Sequence, residues 1–225
     1  MTETILFDLD DTLIAEMEWA RGGWALVARH LSSAVGREPG ELEQLLSGYF
    51  AADRAHVFDQ LAADFDLGTP ELDTCIELYR TEPRELTILP DAVAALALAA
   101  TRRSGILTDG ALRTQQTKVR CAGLASEVET VVYTDELGPG AGKPSPAGFR
   151  EALHRLGGAA ESAVYVADNA AKDFGGPRAL GMRAIQIRRG DGVYHASKAP
   201  PGAEPDAVIA SLFELEPLLS GWASV

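Results

Sequence analysis

The stretch Thr4-Ile5-Leu6-Phe7-Asp8-Leu9-Asp10-Asp11-Thr12-Leu13 decides the fold. Its first four residues are β-branched or apolar, as a buried strand requires, and carboxylates then crowd the point where that strand must leave its sheet. Residues 4–9 are expected to form the strand. Like charges at this spacing raise one another's pKa and persist where a cation or a proton is shared. Asp8 and Asp10 therefore point to a site, whereas Asp11 reads equally well as a capping residue of a solvated loop.

A second strand far along the chain ends the same way. Tyr165-Val166-Ala167 runs into Asp168-Asn169, and Asp173 follows as the next helix begins. Parallel strands present their carboxyl ends along one edge, so Asp8, Asp10, Asp168 and Asp173 can converge there. Clustered hard oxygen ligands suit Mg²⁺, which takes a few carboxylates and keeps positions for water or a phosphate. Two further strand ends add other chemistry. Ile106-Leu107 delivers Thr108, Asp109 and Gly110, a hydroxyl and then a bare backbone that a ligand can approach closely. The strand at 130–133 is followed by a glycine-rich loop, Gly138-Pro139-Gly140-Ala141-Gly142, that ends in Lys143-Pro144.

The rest of the chain supports a parallel sheet. Strand patterns are expected at 105–107, 130–133, 163–167, 184–187 and 207–209, and helical patterns at 91–101, 112–122, 146–156, 171–180 and 211–219. Strand and helix alternating in sequence imply right-handed crossovers, hence an α/β fold with a Rossmann-like open parallel sheet. Only the interval after the first strand breaks the alternation. There Trp24, Val27 and Leu31 share one helical face, Leu42, Leu45, Leu46 and Tyr49 share another, and Phe58, Leu61 and Phe65 follow. An all-helical insert at 15–87 is expected to overhang a core made of 1–14 and 88–225, at the strand ends where open α/β folds bind ligands.

Composition narrows the functions. With 33 Asp+Glu against 20 scattered Lys+Arg, the formal charge is −13, so neither nucleic-acid phosphates nor anionic membrane surfaces are expected partners. The acidic start MTETILFDLD does not read as a secretory signal. The longest apolar tract, 92–100, is about half of the ~20 residues a membrane helix needs. Two cysteines, Cys75 and Cys121, offer no disulfide framework, which fits a reducing cytoplasm. A cytoplasmic protein is expected.

Taken together, Phe7 to Leu13, Leu107 to Gly110, Lys143-Pro144 and Val166 to Asp173 resemble the four motifs of the haloacid dehalogenase-like superfamily, in its phosphatase branch with a helical cap inserted after the first strand. The resemblance implies a Mg²⁺-dependent phosphatase acting on a small phosphomonoester metabolite. It makes Asp8 the nucleophile that forms an aspartyl-phosphate, and Asp10 the general acid and then base. Thr108 and Lys143 become catalytic groups that also bind the phosphoryl oxygens, with Asp109 and Gly110 beside them. Metal binding falls to Asp8, Asp10 through its backbone carbonyl, Asp168 and Asp173, the last more as an orienting group. Trp19 and Arg21, which follow the nucleophile loop directly, are the cap residues expected to contact substrate. Two positions depart from the family pattern. Asp109 stands where Asn is common, which puts its contact with substrate in doubt, and Ala167 replaces a glycine. A phosphosugar mutase of the same superfamily and a non-enzymatic phospho-receiver-like signalling domain are the alternatives. The mutase would need a cap His or Lys, and the receiver a phosphoacceptor on the third strand. Substrate identity and oligomeric state are not legible.

Overall fold

The computed structural model describes residues 2–223. After β1 (Thr4–Phe7) come four helices, α1 (Glu16–Val35), α2 (Pro39–Ala52), α3 (Val57–Phe65) and α4 (Thr69–Thr81). Strand and helix then alternate through α5 (Pro90–Ala99), β2 (Arg103–Thr108), α6 (Leu112–Cys121), β3 (Thr130–Tyr133), α7 (Ala147–Leu156) and β4 (Ala163–Ala167). The chain finishes with α8 (Gly175–Ala179), β5 (Arg183–Ile187), β6 (Ala207–Ile209) and α9 (Leu215–Ala223). All six strands are parallel, in the order β3-β2-β1-β4-β5-β6. This is the open α/β sheet expected from the alternation.

β1 sits at the centre because all four of its side chains are buried, and a strand hidden on both faces has no polar side to show. Its partners set the register: Phe7 lies opposite Ile106 on β2 and Val166 on β4. Asp8, Thr108 and Asp168 are therefore delivered at or just beyond three neighbouring strand ends. The Asp8 N–H still donates to the Val166 carbonyl (2.9 Å), but the Leu9 carbonyl accepts from Leu13 and Ile14 (2.9 and 3.3 Å), so the chain turns there. β1 thus ends two residues before the expected Leu9. Beneath this edge, Leu6, Leu107, Val132, Phe149, Tyr165 and Phe174 fill one core, with the Phe149 and Tyr165 rings edge to face at 4.8 Å.

Two helices differ from expectation for local reasons. The helix expected over 171–180 is confined to α8, because the Asp173 carboxylate accepts the Asn169 N–H (2.9 Å) and the Asn169 side chain accepts the Ala171 N–H (3.1 Å). Those bonds close a turn that occupies 169–173. In the last helix the Ser211 hydroxyl and Glu214 carboxylate form a capping box, and a 3₁₀ turn precedes α9.

The described chain forms two compact units, Met1–Glu16 with Glu85–Val225, and Met17–Arg84. The second has its own core of Trp24, Val27, Leu31, Leu42, Leu46, Leu61 and Cys75. Leu45, placed with Leu42 and Leu46 by spacing, is instead 37% exposed.

In the first unit the Asp91–Arg189 ion pair ties the loop after β1 to the start of α5 and to residues 211–212. Asp91, in the first turn of α5, accepts two hydrogen bonds from Arg189 (both 2.9 Å), one from the Ser211 hydroxyl (2.9 Å) and one from the Leu212 N–H (2.8 Å). The same guanidinium donates to the carbonyls of Asp11 (3.0 Å) and Thr12 (2.9 Å). Burial alone would raise the Asp91 pKa, but Arg189 and the bonds from Leu212 and Ser211 outweigh it and hold the carboxyl below its ordinary value. A depressed carboxyl pKa adds stability above the unfolded pKa of about 4 and loses it as pH falls through the folded value. Asp91→Asn should therefore cost about 3 kcal/mol at pH 7. In urea unfolding the gap from wild type should shrink below about pH 4, and a gap that stays constant with pH would remove the charge from this account.

Candidate active site

The ammonium of Lys143 is the centre of the site. It is buried, donates hydrogen bonds to Asp8 Oδ1 (2.8 Å) and the Tyr165 hydroxyl (3.0 Å), and lies in ion-pair contact with Asp173 Oδ1 at 2.7 Å. Burial would lower the lysine pKa, but Asp173 and Asp8 reverse this and hold it well above the ordinary value. The charge is therefore fixed. The loop carrying Lys143 is held by α8, where Gly176 lies so close to the Phe149 ring and the Pro144 carbonyl that a Cβ there would fall 2.5 Å from the ring. Asp173 has no exposed surface; its Oδ2 accepts the Asn169 N–H, and its Oδ1, which accepts no hydrogen bond, lies 2.7 Å from the Lys143 ammonium.

Asp168 is different. Its carboxylate oxygens, with those of Asp8 and Asp173, include atoms all within 4.8 Å of one another, and its Oδ2 is buried with no hydrogen-bond partner. Burial, with Asp8 and Asp173 added, pushes its pKa to about 9. Burial, with Asp173 added and Lys143 opposing, pushes that of Asp8 to about 6. A buried oxygen without a partner, in a carboxylate cluster that one lysine does not neutralise, is what a divalent cation would relieve. The donors are all hard oxygens, which suits Mg²⁺. Asp8 and Asp168 can hold the ion, while Asp173, already committed to Lys143 and Asn169, can orient its neighbours.

The Asp10 carboxylate faces elsewhere. It is gripped by Lys118 Nζ through both oxygens (2.7 and 2.9 Å), and Gln115 Nε2 donates to its Oδ2 at 3.1 Å. Burial would raise its pKa, but Lys118 and the Gln115 bond overcome that and lower it. The Asp10 side chain is therefore committed to Lys118 and Gln115, and the metal contact expected of Asp10, through its backbone carbonyl, does not involve that carboxylate. The same Gln115 nitrogen donates to Thr108 Oγ1 at 2.6 Å. The hydroxyl accepts that bond, so its own proton is left for another acceptor.

The Asp109 carboxylate is engaged within the fold. Its carboxylate accepts the Thr134 hydroxyl (2.6 Å) and the Lys143 backbone N–H (3.1 Å), and Lys172 Nζ lies 3.4 Å away. It thus ties the β3 end and the Lys143 loop to the β2 end. Gly110, with φ +119°, takes a backbone conformation that side chains rarely adopt and turns the chain from β2 into α6. Asp11 also takes positive φ (51°), and its carboxylate accepts the N–H groups of Glu16 (2.9 Å) and Val193 (2.7 Å). It is a cap. In the helical unit, Trp19 is 1% exposed with the Arg84 guanidinium 3.5 Å over its ring, so the expected substrate contact is a packed residue. Arg21 is exposed on α1.

Four contributors were not singled out from sequence: Lys118, Gln115, Tyr165 and Lys172. A signal existed for the lysines. The chain has only four among its 20 Lys and Arg, and three of them, Lys118, Lys143 and Lys172, lie within 3.4 Å of carboxylates at these strand ends.

Comparison with known proteins identifies the family. A family model for haloacid dehalogenase-like hydrolase matches residues 2–181. A phosphoserine phosphatase of Thermus thermophilus is 38% identical over 62% of this chain, a match spanning about half (54%) of that relative's length. A glyceraldehyde 3-phosphate phosphatase of Methanopyrus kandleri is 30% identical over 84% of this chain and 85% of its own. Among solved structures, a 2-haloacid dehalogenase from Pseudomonas syringae superposes with a TM-score of 0.68 at 28% identity, covering 99% of this chain and 100% of that one.

The raised pKa of Asp168 makes a stability claim. A carboxyl whose folded pKa lies above its unfolded value destabilises the metal-free protein increasingly as pH rises from about 4 toward the folded value. At pH 7.5, Asp168→Asn should raise the Tm of EDTA-treated protein by about 3 °C, equivalent to about 1 kcal/mol. It should also abolish any Tm rise on adding Mg²⁺. A variant that melts lower without metal and still responds to Mg²⁺ would contradict the cluster as described.

Proposed function

The chain belongs to the haloacid dehalogenase-like hydrolases, and we propose that it is a Mg²⁺-dependent phosphatase that hydrolyses a small phosphomonoester through an aspartyl-phosphate on Asp8. The observation that carries this reading is the pairing of a buried carboxylate nucleophile on Lys143 with a second carboxylate, Asp10, two residues on and held separately by Lys118. One group attacks while the other handles protons. That division suits phosphoester hydrolysis, where the leaving alkoxide needs a proton and the acyl phosphate then needs an activated water. A dehalogenase expels a halide that needs no proton, so Asp10 favours the phosphatase over the chemistry named for the Pseudomonas syringae neighbour.

In this mechanism Lys143 keeps Asp8 ionised and aimed, and Asp173 keeps Lys143 in place. Thr108 offers its hydroxyl proton to a phosphoryl oxygen, and Lys172, half-buried, adds positive charge beside Asp109. Asp10, held ionised by Lys118 in the substrate-free site, takes up a proton from solvent as the anionic phosphate enters, gives it to the departing oxygen and afterwards takes a proton from the attacking water. Bound at Asp8 and Asp168, with the Asp10 carbonyl, Mg²⁺ would offset the carboxylate charge that otherwise repels a phosphate dianion. The helical unit is proposed as the cap that sets specificity. Its residues name no substrate, but the two phosphatase relatives are named for small phosphomonoesters, so phosphoserine and three-carbon phosphates are the first candidates. No described helix is long and apolar enough to cross a membrane, and both cysteines are free, which is consistent with a reducing cytoplasm.

Purified protein should release phosphate from p-nitrophenyl phosphate with Mg²⁺ and lose that activity in EDTA. Asp8→Asn should reduce kcat at least about 10³-fold, since removal of a nucleophile leaves only binding and charge stabilisation. Chloride release from a 2-chloroacid without phosphate release from any phosphomonoester would replace this reading with a dehalogenase.

A further inference from the structure

We propose that Lys118 and Gln115, side by side on α6, are positioning residues that hold the Asp10 carboxylate at the phosphoryl-binding hydroxyl of Thr108. The inference rests on the phosphatase reading and adds to it a part for α6. The residues are three apart and so share a helix face, and both are buried although neither is apolar. Their contacts form one continuous set. Lys118 binds both Asp10 oxygens, and the single Gln115 nitrogen reaches Asp10 Oδ2 and Thr108 Oγ1 together. Gln115 also packs under Gly110, its side chain 3.6 Å from where a Cβ would stand, so the turn out of β2 and the clamp are built against each other.

Such a grip has a specific use. Asp10 lies in the turn that the Leu9 carbonyl closes on Leu13 and Ile14, its side chain is partly exposed, and a free carboxylate there would rotate toward Lys143 or water. Pinning it to α6 keeps it off the Asp8–Lys143 pair. It also sets its distance from Thr108, and hence from the leaving oxygen of a phosphoryl group bound at that hydroxyl. General-acid catalysis requires the proton donor within hydrogen-bond reach of its target, and misplacement forfeits a factor of about 10²–10⁴.

The test uses two substrates that differ in their need for a proton. O-phosphoserine expels an alkoxide and needs the acid, whereas p-nitrophenyl phosphate expels a stable phenolate and needs it little. Lys118→Met should lower kcat/KM for O-phosphoserine about 100-fold, with KM changed less than about twofold, and lower kcat/KM for p-nitrophenyl phosphate less than about 10-fold. Lys118→Arg should restore most of the difference. Equal losses on both substrates, or a loss confined to KM, would overturn the positioning role in favour of general destabilisation or substrate binding. Should Lys118→Met not fold, Gln115→Met, which leaves the ion pair intact, should show the same imbalance to a smaller degree, and equal losses would again refute it. Crystal structures of wild type and variant decide independently of turnover. The Asp10 carboxylate should leave its place beside Thr108 in the variant, and an unmoved carboxylate refutes the proposal even if the wild type hydrolyses neither substrate and the phosphatase reading itself fails.

Discussion

The ion pair between the buried ammonium of Lys143 and the carboxylates of Asp8 and Asp173 is the constraint on which the rest depends. A lysine removed from water is tolerated only when its charge and all its N–H groups are matched. Here Asp8 past β1 and Tyr165 on β4 accept its hydrogen bonds, and Asp173 before α8 adds a second negative charge 2.7 Å away. Each has a structural price. Asp173 must close on Asn169, which shortens α8, and Tyr165 must hold its hydroxyl against the lysine while its ring packs on Phe149. The Lys143 loop must return to the sheet edge, which Asp109 enforces by accepting the Lys143 N–H. Residues far apart in the chain are therefore fixed by one buried charge.

That dependence explains which parts of the site could be read in advance. Strand direction is a one-dimensional property. An apolar run ending in Asp8, another in Thr108 and a third in Asp168 must bring those residues to one edge once the sheet is parallel, whatever the packing details. The six strands follow from the same alternation. Lys118 and Gln115 were hidden because their meaning depends on which face α6 turns inward after the Gly110 turn, and the helix is too polar for its pattern to reveal that face. Asp109 was ambiguous for a related reason. Its partner Thr134 lies at the end of a different strand, so only the register of β2 on β3 brings them together. Trp19 misled through sequence proximity to the nucleophile loop, where the packed structure gives its ring to Arg84.

The acidity of the chain also looks different once the site is assembled. A charge of −13 argues against binding any anion, yet three of the four lysines are spent on the carboxylates of this one edge. Short of a metal, the pairing is uneven. Lys118 answers Asp10, Lys172 lies beside Asp109, and Lys143 is shared by Asp8 and Asp173, while Asp168 Oδ2 has no partner. The cations are thus assigned to positioning the carboxylates, and none is left over to neutralise the last of them. A phosphate dianion entering that edge would push Asp8 and Asp168, whose pKa values are already raised, further toward their protonated forms. Asp168 Oδ2 is thus a buried oxygen at which the proposed Mg²⁺ would supply the charge that the lysines do not.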